Sequence, residues 1–280
     1  PQVAIIRHPD VRRMLMWMKA HVDGMRSFVY FGARLIDRIN CAATDADRAY
    51  HKGLLDLLTP VLKAYCTDRG FEVCSQAVQV YGGYGYTREY PVEQLMRDVR
   101  IASIYEGTNG IQAMDLLGRK IGMEKGRVFM NFMDEVRRVV QRARTCDGLS
   151  DLADKVEKAL DRLGDTALHL GQAAMSDRFR TAFAHAAPFQ EVMGDVIMAW
   201  MLLWRATVAV PKLEKLAGGL DAAAIESKVS KNKEAAFYAG QLKAAEFFMH
   251  AMLPVTIGKM NAIAVPNPAA IDIHERSFGG

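Results

Sequence analysis

Apolar side chains recur at intervals of three and four along the first part of the chain, at Val11, Leu15, Met18, Val22, Met25, Val29, Ala33 and Ile36. That spacing lines one face of a long helix. Asp10, directly after Pro9, stands where a helix would be capped. Polar residues from Asn40 to Asp47 predict a turn. A second helical stretch runs from about Ala46 to Val80 through Leu54, Leu57, Leu58, Val61, Leu62, Tyr65, Phe71 and Val78. Pro60 lies inside it and is expected to kink or divide it, because proline removes one backbone donor. Two long helices joined by a short polar turn form an antiparallel hairpin. Glycines between Gly82 and Gly85 stop the second helix. Pro91 then opens a helix to about Ala102, and another runs from about Asn109 to Ile121. Together these predict a four-helix bundle over 1–122.

Helical periodicity resumes after Gly122 and Gly126. Phe129, Phe132, Val136 and Val139 mark one helix, and Leu152, Val156, Leu160, Leu163, Ala167 and Leu170 mark the next. Val192 to Leu216 is rich in Met, Trp and Leu, the composition of a helix buried on most sides. A further helix carries Phe237, Leu242, Ala245, Phe248 and Met252 and is expected to end near Pro254. The fold class is therefore all-α, with a second helical bundle over 127–264 and an extended tail over 265–280 that contains Pro266 and Pro268. This second part shows no catalytic grouping. His169 and His185 read as satisfied structural histidines, and Trp200, Trp204, Phe247 and Phe248 as core.

Composition narrows the function classes. Half of the 280 residues are hydrophobic and 24% are charged, the profile of a globular protein. The net charge of +4 is small and no Lys/Arg block stands out, so nucleic-acid binding has no electrostatic footprint. Five lysines between Lys212 and Lys233 are interrupted by Glu214 and Glu226 and read as a solvated face. Cys41, Cys66, Cys74 and Cys146 are widely separated, which suggests buried thiols in a reducing, cytoplasmic setting. No histidine or cysteine spacing suits a metal, so none is expected. No signal peptide and no bilayer-length apolar run is read.

The chemistry concentrates in two segments. Tyr105-Glu106-Gly107-Thr108-Asn109 sets a carboxylate between an aromatic residue and a glycine, just before a helix. A carboxylate there suits a base, and Gly107 admits close approach because it has no Cβ. Thr108 and Asn109 occupy capping positions that offer polar groups to a ligand. The other segment is Gln79-Val80-Tyr81-Gly82-Gly83-Tyr84-Gly85-Tyr86. It is not a dinucleotide-binding loop, since a helix precedes it and the spacing is Gly-Gly-x-Gly.

These segments, with Pro91-Val92, Leu95-Met96-Arg97-Asp98 and Ile111-Gln112 in the same order, resemble the C-terminal domain of acyl-CoA dehydrogenases over roughly residues 5–120. The extension is similar to the extra helical domain of larger bacterial members, such as 3-methylmercaptopropionyl-CoA dehydrogenase-like enzymes. The resemblance implies FAD as cofactor, an acyl-CoA substrate, a homodimer or higher homo-oligomer, and electron-transferring flavoprotein as electron acceptor. It assigns Glu106 as the base that removes the α proton. Tyr105 and Gly107 would lie beside the substrate, and Thr108 and Asn109 would contact the flavin. Gln79, Gly82 and Gly83 would touch the adenosine end of a flavin held mainly by a neighbouring subunit. Tyr81, Tyr84 and Tyr86 read as plain packing. Asn109-Gly110 stands where many relatives have Ser-Gln. Arg7-His8-Pro9-Asp10 matches a point well inside the family sequence, so the family's N-terminal helical and middle β-domains are expected to precede Pro1. Two other readings stand beside the dehydrogenase: a non-catalytic oligomerisation module, and an acyl-CoA oxidase.

Overall fold

The computed structural model describes residues 2–219, 221–265 and 267–279, and those residues form helices without a strand. Helix α1 spans Pro9–Asn40 and α2 spans Asp45–Tyr81. The predicted hairpin forms, and its turn closes at Thr44, whose Oγ1 accepts the Asp47 N–H at 3.1 Å and so caps α2. Helix α2 is not divided at Pro60 but runs through it as one element. Pro60 is buried, and its carbonyl accepts a 3.2 Å bond from Gln190 Nε2. Helices α3 (Val92–Arg100) and α4 (Asn109–Asp115) follow, and α4 continues as a π-helical turn over Leu116–Lys120.

The buried face of α1 is rotated from the hydropathy stripe. Buried positions are Met14, Ala20, His21, Gly24, Phe28, Phe31, Gly32 and Leu35, whereas Val29 and Ile36 are exposed. Close approach explains the shift. A Cβ on Gly24 would lie 2.8 Å from Met198 Sδ, and one on Gly32 would lie 3.1 Å from Leu62 Cδ1. Small residues here admit neighbouring helices, so the contact face carries less hydropathy than the face beside it.

The second part contains α5 (Arg127–Arg144), α6 (Ser150–Ala174), α7 (Phe179–Ala184), α8 (Ala186–Ala217), α9 (Ala222–Val229), α10 (Lys233–Phe247) and α11 (Leu253–Ile263). The helix expected to end near Pro254 instead passes through a π turn at Phe248–Met252, and Pro254 occupies the first turn of α11, where a proline needs no N–H partner. Helix α8 is central, packing against α1, α2, α4, α5, α6, α10 and α11. By length and composition it could cross a bilayer, which corrects the expectation that no such run exists. Most of its apolar stretch is buried within the protein instead. Because α8 reaches both parts, one continuous apolar core extends from Phe28 and Leu57 to Phe248 and Ile263. Of the residues assigned to the core, Trp200 and Phe248 are fully buried, whereas Trp204 and Phe247 are partly buried.

Three local expectations change. The tail carries a one-turn helix α12 (Ala269–Asp272) and a 3-10 turn at Glu275–Phe278 where an extended segment was expected; Pro266 and Gly280 lie outside the described residues. His185 is not satisfied, since its buried Nε2 lacks a partner. All four thiols are free, and Cys41 is exposed where a buried thiol was expected.

Candidate functional site

The segment between α3 and α4 is a tight loop shaped by two consecutive residues with positive φ, Glu106 at 55° and Gly107 at 83°. Glycine adopts that conformation freely, whereas for glutamate it costs about 1–2 kcal/mol. A non-glycine residue persists there only where its surroundings hold it. The holder is Lys63 of α2, whose Nζ donates to the Gly107 carbonyl at 2.7 Å and to Asn109 Oδ1 at 2.8 Å. Asn109 Nδ2 in turn lies within hydrogen-bond distance of Asp68 Oδ1 (2.7 Å), Thr67 Oγ1 (3.0 Å) and the Ala64 carbonyl (3.2 Å). Gln112 Nε2 reaches the Glu106 carbonyl at 3.5 Å. Desolvation lowers the Lys63 pKa, while the negative charges of Asp68 and Glu106 oppose that shift.

Thr108 caps α4, its Oγ1 accepting the Ile111 N–H at 3.3 Å. The N–H groups of Asn109 and Gly110, at the start of that helix, have no backbone acceptor among the described hydrogen bonds, as helix geometry requires. Around the loop the surface is apolar and open: Ile101, Ile104, Tyr105 and Ile111 are each more than half exposed or close to it. Glu106 itself faces solvent.

Gln79, Gly82 and Gly83 lie elsewhere. They end α2 and begin a 3-10 turn (Gly82–Tyr86), roughly 20 Å along the helix from the Asn109 anchor at Asp68. Gly82 has φ 64°, and the space that a Cβ would fill on Gly82 or Gly83 is open. Tyr81 packs edgewise and Tyr84 at a tilt against Tyr90, both at the surface, whereas Tyr86 is 86% exposed and plain packing does not describe it. The two predicted segments thus lie on two separate surfaces of one chain.

Sequence reading missed Lys63, Thr67 and Asp68. They form a polar stripe beside the apolar stripe of α2, and only the apolar positions carried a periodic signal. It also missed what Asn109 does, since its carboxamide is committed to α2 and leaves only its backbone N–H for a ligand.

A buried polar network ties α2 to the extension behind this site. Tyr65 Oη donates to Asp195 Oδ1 at 2.6 Å, and Thr256 Oγ1 donates to Asp195 Oδ2 at 2.9 Å. Arg69 donates to Glu191 and Glu72, both at 2.6 Å, and Lys259 reaches Glu191 at 2.7 Å. Burial opposes the charge on Arg69, but Tyr65, Asp195 and Glu72 more than offset it and hold the guanidinium charged. Burial, and then the Asp195 charge, push the Tyr65 phenol well above its usual range.

A family model described as "Acyl-CoA dehydrogenase, C-terminal domain" matches residues 2–121, and one described as "Acetyl-CoA dehydrogenase C-terminal like" matches 132–274. The chain belongs to the acyl-CoA dehydrogenase family. It is 31% identical over 282 residues to a butyryl-CoA dehydrogenase of Syntrophomonas wolfei, covering 99% of this chain and 43% of that protein. It is 33% identical over 258 residues to the 3-methylmercaptopropionyl-CoA dehydrogenase of Ruegeria pomeroyi, covering 90% of this chain and 40% of that protein. A crystal structure of an acyl-CoA dehydrogenase from Bacillus anthracis, complexed with FAD, shares the fold with a TM-score of 0.58 at 19% identity, over 93% of this chain and 45% of that one. The chain therefore spans less than half the length of these relatives.

Proposed function

We propose that this chain is the C-terminal part of an FAD-dependent acyl-CoA dehydrogenase that oxidises the Cα–Cβ bond of an acyl-CoA thioester, with Glu106 as the base for the α proton. The observation that carries this reading is Glu106 held at positive φ on an open apolar surface by Lys63 through Gly107 and Asn109. Strained residues of this kind cluster at functional sites. An acyl chain would cover Ile104 and Tyr105, exclude water and bring the carboxylate against Cα, where a base must sit within hydrogen-bond reach of its proton.

The residues present suit a flavin. The free N–H groups at the start of α4 are donors for polar or anionic ring atoms, and the open space at Gly82 and Gly83 admits a ligand backbone beside the exposed Gln79. When bound, FAD supplies the hydride acceptor that protein side chains lack. Thr108 orients the first turn of α4. The roughly 20 Å between the two segments favours their serving different subunits of a homo-oligomer, each contributing one end of the cofactor site. Electron-transferring flavoprotein is the proposed electron acceptor and the cytoplasm the proposed location.

Glu106→Gln tests the base directly. In the full-length polypeptide it removes the base but keeps size and polarity, so turnover of butyryl-CoA with an artificial electron acceptor falls at least about a hundredfold, with flavin content unchanged. Turnover within a few-fold of wild type would overturn the assignment. Oxygen uptake without an added acceptor would instead favour an oxidase.

A further inference from the structure

Away from the Glu106 loop, α1, α8 and α10 enclose a cleft of about 480 Å³, within the size range of small-molecule sites. Its floor is α8 from Met201 to Lys212, and the walls are α1 from Ser27 to Arg34 and α10 from Phe237 to Gln241. The floor is roughly 16 Å long at the helical rise. Arg205 closes one end. Its Nε donates to Gln241 Oε1 at 2.5 Å and its Nη1 to Ser27 Oγ at 2.9 Å, with Asp23 3.9 Å away. This bridge joins α1 to α10 across α8.

The lining combines an apolar body with unbalanced positive charge. Tyr30 is 74% exposed and Phe237 53%, although both line the cleft beside Trp204 and Val208. Arg34 and Lys212 make no ion pair among the described residues, and both rest on aromatic faces: Arg34 over Trp204 at 5.8 Å and Lys212 over Tyr238 at 5.3 Å. Most other arginines facing solvent on α5 and α6 or their flanks do pair with carboxylates. Among the described residues, no carboxylate lines the cleft. An occupant must therefore be apolar along its length and anionic at its head.

We propose that this cleft binds an amphipathic carboxylate, a free fatty acid of medium chain length. Its chain lies along the α8 floor between Trp204 and the α10 aromatics, and its carboxylate takes the charge of Arg34 and Lys212. The site shares no residue with the Glu106 loop and does not depend on the dehydrogenase reading.

The test uses the full-length polypeptide and follows binding by calorimetry on titration with dodecanoate, with dodecanol as the uncharged control. Saturable binding of one dodecanoate is expected, with dodecanol at least about tenfold weaker. The double variant Arg34→Gln/Lys212→Gln loses the preference for the acid over the alcohol. Val208→Trp, at a partly exposed floor position, fills the cleft and abolishes binding while helical circular dichroism is kept. Equal affinity for acid and alcohol, or binding unchanged by Val208→Trp, would overturn the proposal. So would the finding, by sedimentation, that the cleft is the contact between two copies, with Val208→Trp separating them and dodecanoate having no effect.

Discussion

Glu106 and Lys63 are linked through Gly107: the Lys63 side chain holds the backbone carbonyl of the residue that follows Glu106. Lys63→Met removes two short hydrogen bonds to the loop, and each such charged bond contributes about 1.5–3 kcal/mol where it is shielded, less here because the site is partly open. In the full-length enzyme, kcat for butyryl-CoA is expected to fall at least about tenfold, whereas the melting temperature drops only a few degrees. Lys63→Arg restores part of kcat. A variant with unchanged kcat would show that the loop holds its shape without this clamp. His21 sets a different dependence. It is fully buried, its Nδ1 donates to the Trp17 carbonyl at 2.8 Å, and its Nε2 has no partner. Burial lowers its pKa from 6.5 to about 4; nearby Arg69 pushes the same way, while the Trp17 carbonyl and Asp195 oppose. The folded state therefore refuses a proton that the unfolded chain accepts, so His21's contribution is fully present above pH 6.5 and is lost as pH falls towards 4. The loss amounts to about 3 kcal/mol at the acid end. Denaturation at pH 7 and pH 4.5 should show His21→Leu losing less stability on acidification than wild type, and equal slopes would contradict the assignment. The candidate base, the capping threonine and the glycine turn were legible in the sequence because each carries an unusual local pattern. Lys63 was not, since one lysine on a helix has the same local signature whether it holds a loop or faces water.

Element positions were legible wherever periodicity was strong. Both long hairpin helices and the helices after Pro91 and Asn109 lie within a few residues of their expected bounds. The facing of α1 was not legible, because it is set by what packs against it. Gly24 and Gly32 let Met198 and Leu62 approach, so steric fit outweighs hydropathy. The same rule operates between α2 and α8, where a Cβ on Gly194 would stand 2.0 Å from Tyr65 Cδ2. Gly194→Ala must displace the Tyr65 ring and weaken its bond to Asp195, costing about 2–3 kcal/mol or more in chemical denaturation. Asp195→Ala leaves Arg69 short of one carboxylate and Tyr65 without an acceptor, at about 3 kcal/mol or more. Either variant at wild-type stability would mean that the two helices are not locked as their geometry implies.

At the scale of the whole molecule, the extension is part of the core that positions the site. Helix α8 touches α1, α2 and α4, and the Asp195 network runs from α2, which anchors the Glu106 loop, to α11. Sequence alone divided the chain at 122–127, where the glycines interrupt periodicity, and one continuous apolar core packs across that boundary. A fragment ending at Gly122 would strip Trp200 from Phe31 and Asp195 from Tyr65 and should show helical circular dichroism without a cooperative transition; a sharp transition near the wild-type temperature would show that the first bundle folds alone. The claim that matters most is that Glu106 takes the α proton of an acyl-CoA at a flavin. Its most direct test is anaerobic single-turnover reduction of the flavin in the full-length polypeptide, followed at the flavin's visible band after mixing with butyryl-CoA. Wild type should bleach, while Glu106→Gln should keep its flavin and its substrate affinity and bleach at least about a thousandfold more slowly. Bleaching of the variant at the wild-type rate, or a wild-type polypeptide that holds no flavin, would contradict it.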